Sequence, residues 1–352
     1  MQSRQQLDAL ASGSSASGRR RPTIGDVARL AGVSTATVSR VLSGTAKVSP
    51  AKQAQVMQAI KKLDYNPSDL TRAIFTGRSN SVGLLVADLR NPYYVDLMRG
   101  VESVVTEHGG LVFLASAARD PDREASVLRA MDAQRMRGLV ITSGHDPIDH
   151  AALGRLADHG TQVVFVTRPV ALPHPRVHSV RVDDEAVGAL AWQHLRDRGR
   201  SNVAVVTQSA WSLTQRERSR GIRTAARIDH VDIPEEHITE LSSLEEPADG
   251  LRAVIEAGRD AGRPIDAVFA TSGIATLRAY QELADMGISI PDDVAFVGFD
   301  DFPWAAHLKT PLTVVTQPAL EIATQAAQLI IDEPEASVTR MLAPGLTVRA
   351  ST

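Results

Sequence analysis

From about Ser81 onward, short apolar runs alternate with amphipathic stretches, and this alternation constrains the fold more than any other feature of the chain. SVGLLVAD, LVFLAS, GLVITS and QVVFVT are compact and rich in branched residues, the composition of strands buried on both faces. Helical spacing predicts helices at 92–108, 122–134 and 148–159 between them. A second set follows, with helices predicted at 186–197, 215–226, 248–258 and 274–286 and strands at NVAVVTQ, AVFAT and VAFVGFD. Strands alternating with helices imply parallel sheets covered on both faces. Two such sets predict an α/β body of two parallel-sheet subdomains over 81–352, with VHSVRVDD and PLTVVTQP crossing between them near 177–184 and 308–318. Ligands of such folds sit beyond the carboxyl ends of the strands, here in a cleft between subdomains.

The segment before this body, residues 22–67, is different in kind. TIGDVARLAGVSTATVSRVLSG reads as two short helices held at an angle. Ile24, Val27, Ala28 and Ala31 follow helical spacing, and Gly32 supplies the left-handed turn that ends the first helix. Ser34 is a good N-cap for a second helix over Thr35–Leu42, whose apolar face is Val38, Val41 and Leu42. Ser49 and Pro50 start a third helix that runs to about Leu63. An all-α unit of this pattern is a helix-turn-helix, whose second helix enters the DNA major groove. A plain three-helix structural module is the alternative.

Charge separates the two regions. The whole chain carries −3, but residues 1–76 hold eleven Lys/Arg against four acids and stand at +7, which leaves the body at −10. A basic head on an acidic body is the electrostatic footprint of a DNA-binding module joined to something else. The sequence has no cysteine, which excludes disulfides and thiolate metal sites and is compatible with a reducing cytoplasm. No apolar run is long enough to cross a bilayer, and MQSRQQLDALASGSSASGRRR has no signal-peptide core. Residues 1–21 have the composition of a disordered tail.

The combination and order of several motifs resemble the LacI/GalR family of bacterial transcription regulators over nearly the whole length. They are TIGDVARLAGVSTATVSRVLSG, VSPAKQAQVMQAIKKLDYNPS, TGRSNSVGLLVADLRNPYY, MRGLVIT, RERSRGIR, GISIPDDVAFVGFDD, PLTVVTQP and VRAST. The resemblance implies a periplasmic-binding-protein-like body, a homodimer, a pseudo-palindromic operator in double-stranded DNA, and a repressor controlled by a small effector, a sugar or sugar acid. It implies no cofactor, no metal, no membrane contact and a cytoplasmic location. No heptad tail follows Thr352, so a tetramerising coiled coil is not expected.

Residue by residue, Thr35, Ala36 and Arg40 match the family's base-contacting positions. Arg40 is suited to a bidentate bond with guanine, and Ala36 to a thymine methyl. Ser34, Thr37 and Ser39 read as phosphate contacts or caps. Residues 68–80 match the family's hinge helix and linker, in which Leu70 and Ile74 would face the minor groove. A stiff, β-branched Ile74 stands at the wedge position usually held by leucine.

In the body, Arg216, Asp300 and Gln317 match polar effector contacts, with a structural salt bridge as the alternative for Arg216 and Asp300. Tyr93 or Tyr94 would supply an aromatic wall, and Thr167–Arg168 stands where the family often has an aspartate; a purely structural role is equally open for the tyrosines and Thr167. Ser272–Gly273 replaces a frequent Asn-Asp. Two missing acids point to an acidic ligand, with neutral drift as the alternative. A solute-binding protein or an enzyme on the same body are the rival readings. The first would need export and no basic head. The second has neither a phosphate-cradling loop nor a metal-spaced His pair to support it, and Ser143-Gly144-His145-Asp146 reads as a loop after a strand.

Overall fold

The computed structural model describes residues 22–43, 48–65, 79–87, 89, 91–117, 120–142, 149–168, 172–208, 212–241 and 248–352. The chain divides into two compact units, Met1–Ser79 and Asn80–Thr352.

The first unit holds three helices, α1 Ile24–Ala31, α2 Thr35–Ser43 and α3 Pro50–Leu63. A reciprocal cap starts α1. Thr23 N–H donates to Asp26 at 2.9 Å, while Asp26 N–H donates to the Thr23 hydroxyl at 3.4 Å. Gly32 ends α1 at φ 65°, a conformation that glycine alone adopts without cost. Ser34 then caps α2, accepting from Thr37 N–H at 3.2 Å. Ser49 sits at the cap position of α3, but its side chain makes no cap bond there; Pro50 supplies the start instead. Val27, Ala28, Val38, Val56, Ala59 and Tyr65 close a small core.

The body contains two six-stranded sheets. Strands β1 Val82–Val86, β2 Val112–Ser116, β3 Gly138–Ile141, β4 Gln162–Phe165 and β5 Val177–Val182 build the first, with helices α4 Tyr93–Glu107, α5 Pro121–Ala133 and α6 His150–Asp158 between them. Helices α7 Asp184–Asp197, α8 Leu213–Ile228, α9 Asp249–Asp260 and α10 Gly273–Asp285 alternate with β6 Val203–Thr207, β7 Ile238–Glu240, β8 Ala267–Ala270, β9 Ala295–Phe299 and β10 Thr313–Thr316 to build the second. Helix α11 Ala319–Asp332 and the short strands β11 Thr339–Leu342 and β12 Gly345–Thr347 complete the chain. The sheet orders are β11-β5-β4-β3-β1-β2 and β12-β10-β9-β8-β6-β7. Every pairing is parallel except β10 with β12. Every residue of β1, β3, β4, β6, β8 and β9 is buried, which is why these segments read as continuous apolar runs.

The chain passes between the sheets three times. It leaves the first sheet after β5 and enters α7, which packs on α8; it leaves the second after β10 and enters α11, which packs on α4; and it returns between β11 and β12. The segment 313–316 read as a crossover is thus itself a strand of the second sheet, and the crossing falls at Gln317–Pro318. Neither α11 nor β7, β11 and β12 stood out in the sequence, because those strands are only three or four residues long and β11 is largely exposed.

Helices α7 and α8 touch through their backbones. A Cβ on Gly188 would lie 2.1 Å from the Arg218 carbonyl, and one on Gly221 would lie 2.1 Å from the Glu185 carbonyl. This contact brings the first turn of α7 against the middle of α8 and so positions the charges described below. Among the described residues, no helix is long and apolar enough to cross a membrane.

Edge strand β2 leaves Phe113 and Leu114 exposed at 48% and 43%. An apolar edge with unpaired backbone groups is a template for association. Phe113→Asp should therefore weaken self-association through this edge. Sedimentation equilibrium checks this, and an unchanged oligomer would move the interface elsewhere.

Candidate nucleic-acid interface and ligand cleft

On α2, burial divides the residues cleanly. Val38 is fully buried in the three-helix core, while Ser34, Thr35, Ala36 and Arg40 are exposed. Positions 35, 36 and 40 fall on one face at a period of 3.6 residues, opposite the face that Val38 anchors. Thr37 and Ser39 are half-buried at its margin, and the Ser34 and Thr37 hydroxyls lie 2.9 Å apart. Ser34 is thus engaged in starting the helix. The exposed face carries a methyl, a hydroxyl and a guanidinium, the chemistry of base-edge reading. Leu70 and Ile74, with the hinge around them, lie outside the described residues, as do Ser143-Gly144-His145-Asp146.

In the body, polar groups converge at the carboxyl ends of the strands. Asp300, directly after β9, adopts φ 64°, a left-handed conformation that a short polar side chain tolerates. Its carboxylate accepts from Gln317 Nε2 at 2.9 Å and from the Asn91 side chain. Asn91 precedes α4 in the first subdomain, Asp300 belongs to the second, and Gln317 is the crossing residue between them. Three segments distant in sequence therefore meet at one carboxylate. Burial pushes the Asp300 carboxyl up to about 6, against the opposing pull of Arg218, Gln317 and Asn91, with Asp184 adding to the rise.

Tyr93 is buried at the start of α4, and its ring lies 5.4 Å from that of half-buried Tyr94 in an edge-to-face pair. The Tyr93 hydroxyl is buried without a hydrogen-bond partner. Its pKa is raised well above 10, first by burial and then by the nearby Asp300. Thr167, after β4, also has a buried hydroxyl without a partner, and Arg168 beside it is half-buried.

The arginine of the cleft is Arg218, not Arg216. Arg218 donates from Nε to Asp184 at 2.7 Å and from Nη1 to the Thr271 carbonyl at 2.8 Å, and its guanidinium sits 3.7 Å above the Phe299 ring. Those two bonds use only part of its five-donor fork. Arg216 is exposed and lines a separate groove along α8. Two residues along a helix turn the side chain by about 200°, so neighbours in RER cannot share a face. Arg218 lies in the buried stripe Gln215, Arg218, Ser219, Ile222 and Ala226, which is mostly polar, so no apolar periodicity marked this face as the inward one.

Asp184 is a second residue that sequence reasoning passed over. Its side chain is wholly buried, and it also meets Arg181 Nη1 at 3.4 Å. Arg181 stands on β5 in the first sheet and reaches Glu217 on α8 at 2.9 Å. The loss of acid at Gly273 has a steric reason. The Phe302 ring lies 2.2 Å from where a Cβ would sit, so any side chain at 273 would have to displace that ring. Phe302 stacks on Trp304, centroids 5.6 Å apart, and an aromatic ring stands in place of a carboxylate. That substitution reduces the weight the missing acid gives to an anionic ligand. Among the described residues, no group of acids and histidines is placed to hold a metal.

An exposed reading helix and a polar cleft between two parallel-sheet subdomains define an effector-responsive DNA-binding regulator. Residues 23–68 match the model of the bacterial regulatory proteins of the lacI family, and residues 79–344 match that of the periplasmic binding proteins and sugar binding domain of the LacI family. The chain belongs to the LacI family of transcriptional regulators. It is 32% identical to the regulator CelR of Thermobifida fusca over 344 residues, covering 95% of this chain and 99% of that one. It is 31% identical to the ribose operon repressor of Escherichia coli over 325 residues, covering 88% and 92%. A solved CelR–cellobiose complex superposes with a TM-score of 0.69 at 30% identity, over 94% of this chain and 100% of that one. The lac repressor dimer bound to operator and an anti-inducer has the same fold, with a TM-score of 0.74 at 19% identity over 95% and 99%.

A raised carboxyl pKa favours the folded state fully below the unfolded value near 3.8, and that contribution is lost as pH rises through about 6. Asp300→Asn should consequently stabilise the protein at pH 8 by on the order of 1 kcal/mol, read as a higher melting temperature, with the gain fading by about pH 5. Asn keeps the left-handed backbone accessible and can still accept from Gln317. Thermal unfolding across this pH range checks the claim; a pH-independent difference would contradict it.

Proposed function

We propose that this regulator is a repressor that reads a pseudo-palindromic operator through Thr35, Ala36 and Arg40 and responds to a sugar or sugar-acid effector in the cleft. The observation that carries the effector assignment is the convergence of Asn91, Asp300 and Gln317 from both subdomains and the crossing between them. A hydroxyl-rich ligand suits this set. Asp300 accepts from hydroxyls, Arg218 donates to oxygen, and Tyr93 or Tyr94 offers a ring face. Arg218 takes the role first read for Arg216. Thr167 and Arg168 lie on the first-subdomain side, and the partnerless Thr167 hydroxyl is a further candidate contact. CelR is solved with cellobiose, which supports a saccharide for this site too. Arg218 and Arg168 are cations suited to a carboxylate, so the proposed class includes sugar acids.

The protein acts as a homodimer in the cytoplasm, where its DNA is, and performs no catalysis of its own. Effector contact biases the cleft between an open and a closed arrangement, and that choice is linked to operator affinity. The linkage runs both ways, so operator should change effector affinity by the same factor as the reverse.

Two measurements test this. Arg40→Ala should weaken specific operator binding by about 1–3 kcal/mol and relax preference at one base per half-site, and a wild type that bound operator and scrambled DNA equally would overturn the reading. A thermal-shift screen of neutral sugars and sugar acids should find a ligand that stabilises the wild type and leaves Arg218→Ala unmoved. A ligand that stabilised both proteins equally would place the site elsewhere.

A further inference from the structure

The groove that receives Arg216 is a second concave surface, apart from the cleft. One flank of α8, which borders α7 where Arg220 meets Glu185, carries Arg216, Arg220, Arg223 and Arg227, spaced so that they share one face. With Glu235 and the start of β7 they line a cavity of about 470 Å³, walled on its apolar side by Leu213 and Ile238. Four acids, Glu185, Glu217, Asp232 and Glu235, lie among or against the four arginines, so unmet local donors rather than net charge favour an anion there.

Two donors on this flank lack an acceptor. Ser219, only 8% exposed, has a buried hydroxyl without a hydrogen-bond partner, and so does Arg223 Nε one turn later. A helical serine ordinarily bonds back to its own helix, and an orphaned buried hydroxyl needs an explanation. The carboxylates that meet the arginines are held loosely. Glu185 partners Arg220, Asp232 lies 3.4 Å from Arg227 and Glu235 lies 2.5 Å from Arg223, with the acids themselves 50%, 69% and 76% exposed. Exposed pairs of this kind contribute little and exchange readily for a better anion.

We propose that this groove binds a phosphate monoester, a phosphorylated sugar being the fitting size, as a second ligand independent of the cleft. A phosphate monoester offers three strong acceptor oxygens, enough for Ser219, Arg223 and a neighbouring guanidinium together, and guanidinium forks match its geometry. Its sugar portion would rest against Leu213 and Ile238.

Calorimetric titration of the full chain tests this with glucose 6-phosphate, glucose and inorganic phosphate as probes. Glucose 6-phosphate should bind with a Kd on the order of 1 mM or tighter, inorganic phosphate more weakly, and glucose not at this site. Arg223→Gln should weaken glucose 6-phosphate about tenfold and Ser219→Ala should weaken it measurably, while Arg340→Gln, exposed on β11 of the first sheet, leaves it unchanged. Should Arg223→Gln fold poorly by thermal unfolding, the exposed Arg216→Gln provides the same comparison. The proposal is overturned by no binding in the wild type, by equal binding of glucose and glucose 6-phosphate, or by wild-type binding in both Arg223→Gln and Arg216→Gln. Operator binding is measured alongside: the groove variants should keep wild-type affinity without phosphate present, so a failure here leaves the regulator reading standing.

Discussion

The buried pair between Arg218 and Asp184 is the interaction on which the cleft depends. Its side chains are 7% and 0% exposed, and it forms only because α7 and α8 approach through Gly188 and Gly221. Charges taken out of water are costly unless fully paired, and removing one partner of such a pair typically costs about 3–5 kcal/mol. The pair does not stand alone. Asp184 shares its other oxygen with Arg181, and Arg181 reaches Glu217. Arg181 is on the first sheet and Glu217 on the second subdomain's α8, so one ionic network spans the crossing between the two halves. This gives the cleft a rigid charged floor and ties its geometry to the crossing segments that any opening must bend.

Asp300 works against that background. Its carboxyl is held near 6 by burial even with Arg218, Gln317 and Asn91 close by, so the unliganded cleft contains a group whose charge is poorly satisfied. Tyr93 adds a buried hydroxyl with no partner. A site with unmet hydrogen bonds is less stable than it could be, and a ligand that meets them gains affinity. These buried groups with unmet bonding capacity suit the cleft to a hydroxyl-rich guest.

The DNA-reading unit follows a different economy. Its core is six buried residues, and its geometry rests on caps and one glycine: the Thr23–Asp26 box, Gly32 in the left-handed region, and Ser34 at the head of α2. Each cap satisfies backbone donors that would otherwise be orphaned at a helix end. Val38 faces inward from α2, and this leaves Thr35, Ala36 and Arg40 outward as a consequence of helical period rather than of any tertiary contact.

What the sequence determined by itself was therefore local and periodic. The three short helices, the buried strands β1, β3, β4, β6, β8 and β9, the two-sheet body and the outward face of α2 all follow from spacing and caps, which act over a few residues. The tertiary structure decided what depends on distant segments. It selected Arg218 over Arg216, because only the packing of α8 on α7 and the second sheet says which face of an arginine-rich helix turns inward. It explained Gly273 through Phe302, a ring about thirty residues away in the chain. It made Thr313–Thr316 a strand and Gln317 the crossing, and it recruited Asn91, Asp184 and Arg181 to the cleft. Charged side chains carry no mark of burial in sequence; only their partners, supplied by another part of the fold, make burial affordable, and those partners are a tertiary fact.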